Sequence, residues 1–175
     1  MKVEYIPLGG AGEGGASCGF LRIGDRRVLI DAGMRPSARV GQDRLPALDQ
    51  LIAEPPEAIL VTHAHTDHAG ALPLASALVP TVPISCTETT LLLTRLLLAD
   101  SVRVMEAEHL AQEGETPLYT AEVVERTLAR VRLVGACVET RCRPVLCAQE
   151  YRRRDPRSRQ RLSQWPWPRP RPCHL

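Results

Sequence analysis

The segment Thr62-His63-Ala64-His65-Thr66-Asp67-His68-Ala69-Gly70 puts three imidazoles and one carboxylate within six residues, directly after the apolar run Ala58-Ile59-Leu60-Val61. Neutral imidazole nitrogens and a hard carboxylate oxygen suit zinc or a similar divalent ion. His63 and His65 are two apart, and in an extended segment such residues point the same way, so both rings can approach one ion. Asp67 and His68 follow where the chain should turn towards a helix, and they can face a second ion beside the first. Gly70 then permits close packing or an unusual backbone angle. This gives two donors to each ion, whereas a catalytic zinc usually has three protein ligands and an open position for water. Further donors must therefore come from elsewhere in the fold. A completed site would lower the pKa of bound water to about 7, and two ions about 3.5–4 Å apart would stabilise the attacking and leaving oxygens. The hydroxide would attack an ester, an amide or a phosphodiester. A purely structural use of the histidines is the competing reading, and the H-x-H-x-D-H array after a buried strand argues against it.

Three other residues bear on the site. Asp31 closes the run Leu29-Ile30-Asp31-Ala32-Gly33; it either starts a turn or accepts a hydrogen bond that orients a ligand imidazole. His109, in Glu106-Ala107-Glu108-His109, reads as part of a solvated helix face rather than a ligand. His174 is a weaker candidate still.

The surrounding pattern is that of an α/β fold. Val3–Leu8 is expected as a first strand. The glycine-rich stretch Gly9 to Ser17 leads into a second strand, Cys18–Ile23, and not into the helix that a dinucleotide fingerprint needs. It is therefore expected to be a backbone loop beside the active site. Gly24-Asp25 marks a hairpin turn before a third strand, Arg27–Asp31. Leu45, Leu48, Leu51 and Ile52 recur at helical spacing up to Pro55-Pro56, which ends that helix. Ala58–Val61 is a buried strand. A short helix over Ala69–Leu78 and a strand near Val82–Ser85 come next. Ser85-Cys86-Thr87-Glu88 has capping-box spacing ahead of a Leu-rich helix. Thr120 can cap a last helix, whose stripe is Val124, Leu128 and Val131. Early hairpin strands and later crossovers are thus expected.

At 175 residues the chain fits one domain, and with 3% aromatics its core must be aliphatic. Its charge is unevenly spread: residues 141–175 hold ten Arg against Glu150 and Asp155, leaving the first 140 residues net acidic. Four of the six cysteines, Cys137, Cys142, Cys147 and Cys173, lie near that basic end, and no two cysteines form a C-x-x-C pair. All six are read as reduced thiols. Met1 to Pro7 has no apolar signal core, and Leu91 to Val104 is interrupted by Arg95, Asp100 and Arg103. A cytoplasmic protein that does not span a membrane is expected. From Trp165 to Pro172 proline alternates with bulky or charged residues, which excludes helix and central strand. Residues 135–175 are therefore expected to form a disordered tail. The abrupt change of composition there reads as out-of-frame or truncated coding.

His63-Ala64-His65-Thr66-Asp67-His68 resembles the metal motif of the metallo-β-lactamase superfamily. With Leu60-Val61-Thr62 before it and Gly70-Ala71-Leu72-Pro73-Leu74 after it, the stretch is similar to the β-CASP branch of RNA-processing nucleases. Leu8-Gly9-Gly10 through Cys18, Asp31, Thr87, Thr90, Leu97 to Ser101 and Pro117-Leu118-Tyr119-Thr120 fit the same branch. The resemblance covers about residues 1–134. It implies the N-terminal half of an αββα sandwich, followed by the disordered C-terminal tail. It also implies two zinc ions, one held by His63 and His65 and the other by Asp67 and His68. Asp67 would be catalytic, close to the attacking water, and Asp31 would support the site from behind. RNA is the implied substrate. The branch's later histidines, its bridging aspartate and its inserted domain have no counterpart after about Val134.

Four functional readings follow. The first is a zinc-dependent hydrolase acting on RNA. The second is a non-catalytic metal-binding fragment that lacks half the active site. In the third, a nucleic-acid-binding protein uses the basic tail, its arginines on phosphates and Trp165 or Trp167 stacked on bases. The fourth keeps the superfamily but acts on a thioester or lactam, which the Gly-Ala-Leu-Pro flank disfavours.

Overall fold

The computed structural model describes residues 2–35, 44–111 and 117–135, with the side chains of 108–111 left aside. Its elements run β1 (Val3–Gly9), β2 (Cys18–Ile23), β3 (Arg26–Ile30), α1 (Gln50–Ala53), β4 (Ala58–Leu60), α2 (Thr66–Ala69), α3 (Leu72–Leu78), β5 (Ile84–Cys86), α4 (Glu88–Ala111), α5 (Ala121–Leu128) and β6 (Val131–Leu133). The six strands form one sheet in sequence order. β1, β2 and β3 pair antiparallel, whereas β3, β4, β5 and β6 pair parallel. The hairpin between β2 and β3 turns on Gly24-Asp25, with Gly24 at φ +60°, a sign that glycine tolerates without strain. The expected change from hairpins to helical crossovers is observed.

The register explains why the sheet buries one face. Ile6 pairs with Phe20, Phe20 with Leu29, Leu29 with Ile59, Ile59 with Ile84, and Ile84 with Val131. This row takes one apolar side chain from every strand, and Leu29, Ile59 and Ile84 are fully buried. Leu51 of α1 and Leu72 and Ala75 of α3 pack into the same core. A second core joins Leu98, Val102 and Met105 of α4 to Val124 and Leu128 of α5, with Tyr119 between them. Among the described residues no helix is long and apolar enough to cross a membrane.

Several elements differ from their expected form, each for a local reason. The helix expected over Leu45–Ile52 is confined to Gln50–Ala53, because Pro46 disfavours helical backbone in the residue before it and Leu45 and Leu48 pack from a loop. The helix expected over Ala69–Leu78 is two helices. Pro73 sits in the first turn of α3 and has no N–H to continue the ladder, and the amide of Ala71 bonds the carbonyl of Ala32 instead. The cap of α4 is Thr87, whose hydroxyl accepts the amide of Thr90 at 3.3 Å, and not Ser85, which belongs to β5. Thr120 precedes α5 as expected, without a side-chain capping bond. Val131 is not the third member of a helical stripe. Helix α5 stops at Leu128 and Val131 begins β6, an element that helical spacing concealed. Arg130 supplies the competing force, donating to the carbonyls of Ser76, Val79 and Val82 and so anchoring the turn against the end of α3. The backbone of His109 lies in α4, its side chain is outside the described part, and the Arg- and Pro-rich segment with His174 lies outside the described residues.

Tyr119 ties the second core to the histidine segment by donating its hydroxyl to the carbonyl of Gly70 at 2.9 Å. Burial pushes its phenol up to about 12. A raised acid pKa means that the folded state holds the proton where the unfolded chain, ionising near 10, has lost it. Stability from this group is therefore complete below about pH 10 and is lost as pH rises through 12, by roughly 2–3 kcal/mol. Tyr119→Phe should cost about 1 kcal/mol at neutral pH and flatten the loss between pH 10 and 12, both read from urea midpoints. An identical alkaline profile in the variant would show that the phenol is not held in this way.

Candidate metal centre

The chemistry-bearing residues gather at the carboxyl ends of β3 and β4, where open α/β sheets place their ligands. Asp31 follows directly on β3, and Thr62 and His63 follow β4 after one further residue, Val61. Asp31 continues the sheet register by donating its amide to Leu60 O, and Val61 does the same to Ser85 O. The chain then turns at His65, whose backbone leads into α2. This short helix carries Asp67 and His68 back towards His63.

Asp31 is 4% exposed and sits at φ +62°, a left-handed conformation that asparagine and aspartate tolerate better than most residues. Its carboxylate accepts three bonds. Oδ1 takes the amide of Thr62 at 2.7 Å. Oδ2 takes the hydroxyl of Thr62 at 2.7 Å and Nδ1 of His68 at 2.8 Å. A carboxylate only accepts, so Nδ1 of His68 carries a proton, and in the neutral ring this leaves Nε2 with its lone pair. Of the two options for Asp31, the geometry is that of the orienting acceptor.

The histidine rings are adjacent. His63 lies 3.9 Å from His68 and 4.8 Å from His65 between ring centroids. Asp67 Oδ2 is 3.7 Å from Nε2 of His68. His63, Asp67 and His68 are partly buried and His65 is exposed. Among the described residues no group of three or more His, Cys, Asp or Glu side chains converges so as to hold a metal ion. The donors present fit zinc in chemical type, and His63 stands nearer to His68 than to His65.

Backbone bonds lock this cluster from behind. The carbonyl of Asp67 accepts the amide of Ser17, that of His68 accepts Ala32, and that of Thr66 accepts Met34. The amide of Gly33 in turn reaches Ser17 O. The end of the glycine-rich loop, at Ser17, thus lies against the histidine segment just before the chain enters β2. Arg35 holds the loop with a two-pronged bond to Glu13, at 2.8 and 2.5 Å. Gly33 is indispensable sterically, because a Cβ there would lie 1.7 Å from the carbonyl oxygen of Asp67. Gly70 serves close packing and not an unusual angle: its φ is −64°, and a Cβ would press on Thr66. Cys18 and Cys86 are free and buried. Burial, and then the charge of Asp31, push the Cys18 thiol up to about 12, which keeps it neutral beside the site. Sequence reasoning missed Ser17, Gly33 and Tyr119 as supports. Gly33 adjoins the Asp31 stretch and carried the only readable signal.

Residues 11–135 match the metallo-β-lactamase superfamily. The chain belongs to that superfamily. Transcription termination factor FttA of Cenarchaeum symbiosum is 33% identical over 129 residues, covering 73% of this chain and 19% of that protein. Ribonuclease TTHA0252 of Thermus thermophilus is 33% identical over 132 residues, covering 74% and 28%. Endoribonuclease ysh1 of Aspergillus fumigatus is 33% identical over 120 residues, covering 68% and 14%. The chain thus spans less than a third of the length of these curated relatives. In this metallo-β-lactamase protein the histidine segment and its Asp31 support fall inside the matched region.

Gly33→Ala should lower stability by about 3 kcal/mol, since backbone must move to admit the methyl group. Gly14→Ala, where an added Cβ meets nothing within 4 Å, should stay within about 0.5 kcal/mol of the parent. Equal urea midpoints for the two variants would disprove the close approach at Gly33.

Proposed function

We propose that this chain is the metal-binding N-terminal part of a β-CASP-type ribonuclease, a zinc-dependent hydrolase that cleaves RNA phosphodiesters. The observation that carries this reading is the His63, His65, Asp67 and His68 cluster at the ends of β3 and β4, within a superfamily match whose relatives include proteins named as ribonucleases. His63 and His65 would hold one zinc, and Asp67 and His68 the other. A zinc ion held there would supply Lewis-acid activation of water and neutralisation of charge on the phosphate. Asp31 holds the His68 ring through Nδ1, which leaves Nε2 on the side of Asp67. Asp67, its backbone fixed by Ser17, presents a carboxylate beside His68 that can take a proton from the attacking water. Residues 1–134 form the partial metallo-β-lactamase domain in this reading, and 135–175 an appended tail. A cytoplasmic location suits an RNA substrate and protonated, unpaired Cys18 and Cys86.

A second reading has a specific observation in its favour. No three donors converge among the described residues, which fits a fragment that binds metal without turnover. The test uses the purified full chain in a calorimetric zinc titration, followed by incubation of the zinc-loaded chain with a labelled single-stranded RNA. Zinc binding weakened about 10- to 100-fold in His65→Ala and Asp67→Ala, together with metal-dependent RNA cleavage, is the expected result. Binding without cleavage would select the non-catalytic fragment. Zinc affinity that is absent, or indifferent to both substitutions, would overturn the metal site itself.

A further inference from the structure

Thr62 has so far served only as a flank of the histidine segment, yet its hydroxyl touches two functional groups. It lies 2.7 Å from Oδ2 of Asp31 and 3.0 Å from Nδ1 of His63. A hydroxyl carries one proton and a carboxylate has none to give. The Thr62 proton must therefore go to Asp31, and Nδ1 of His63 must donate to the Thr62 oxygen. We infer that Thr62 is a positioning residue that relays the Asp31 carboxylate to His63, fixing His63 in the Nδ1–H form with Nε2 unprotonated. His68 receives the same instruction directly, through its own bond to Oδ2. One carboxylate thus sets the proton position on two rings 3.9 Å apart. The rings belong to different ligand pairs in the proposed site.

The inference rests on the metal-site reading only for why the ring form matters: a metal takes the unprotonated nitrogen, and the partner of the other nitrogen decides which one that is. The relay itself is a property of the chain alone. Free imidazole favours the opposite, Nε2–H form, so an Nδ1–H His63 is a specific signature. Thr62 is exposed, and Thr62→Val keeps the branched shape while deleting the hydroxyl, so the core is undisturbed.

The decisive experiment is long-range proton–nitrogen correlation NMR on the full, metal-free chain at about pH 8.5, where an ordinary imidazole is neutral. The parent and Thr62→Ser should show His63 as Nδ1–H, and Thr62→Val should show it reverting to Nε2–H while His68 remains Nδ1–H. A zinc titration of the same samples should show affinity about 10-fold or more weaker for Thr62→Val and restored in Thr62→Ser. An Nε2–H His63 in the parent, or a His63 signal indifferent to Thr62→Val, overturns the relay whatever the zinc result. The predicted ring forms without zinc binding in the parent would uphold the relay and reject the metal-site reading instead.

Discussion

The site depends on where the Asp31 carboxylate is held. Asp31 occupies a left-handed backbone conformation at φ +62°, which costs of order 1–3 kcal/mol for a residue other than glycine. Its three acceptor bonds, to the Thr62 amide, the Thr62 hydroxyl and His68 Nδ1, outweigh that cost, since hydrogen bonds to a charged group contribute about 1.5–3 kcal/mol each. The left-handed residue stands where the chain leaves β3, and its side chain reaches Thr62 and His68 beyond the end of β4. A strained residue, a strand end and the orientation of the His68 ring are thus one feature.

The second constraint is backbone to backbone. Ser17, Ala32 and Met34 donate to the carbonyls of Asp67, His68 and Thr66, so α2 is held by three amides from two loops. A helix of four residues has almost no stability alone. It persists here because its carbonyls are satisfied from outside and because Ala69 is buried in the main core. Gly33 is the condition for this lacing, since it alone lets the Asp31–Met34 strand of backbone lie against the Asp67 carbonyl.

Much of this was legible in the sequence, for identifiable reasons. Strands β1, β2 and β3 and the hairpin turn were readable because hairpins are local: alternation and Gly24-Asp25 suffice. The histidine segment was readable because its ligand types are rare and closely spaced. The elements that went astray are those decided at a distance. Leu45 and Leu48 keep helical spacing but obey Pro46. Val131 keeps the stripe of α5 but follows Arg130, which bonds the carbonyls of Ser76 in α3 and of Val79 and Val82 just after it. The capping bond of α4 moved from Ser85 to Thr87 because Ser85 pairs with Leu60 in the sheet. Ser17 and Tyr119 were invisible as supports because their contribution lies in a partner 50 and 49 positions along the chain, and no local pattern encodes that partner.

The same arrangement bears on which donors the site offers. Cys18 is buried and close enough to Asp31 to feel its charge, and a thiolate would be a soft donor. Burial raises its pKa first, and the negative charge of Asp31 raises it further, to about 12. Burial is thus the larger cause, and the carboxylate that orients His68 adds to it. What remains at the ends of β3 and β4 is a set of imidazole nitrogens and a carboxylate, hard or intermediate in character. Burial and the neighbouring charge act in the same direction, so a neutral thiol at Cys18 does not depend on the carboxylate alone.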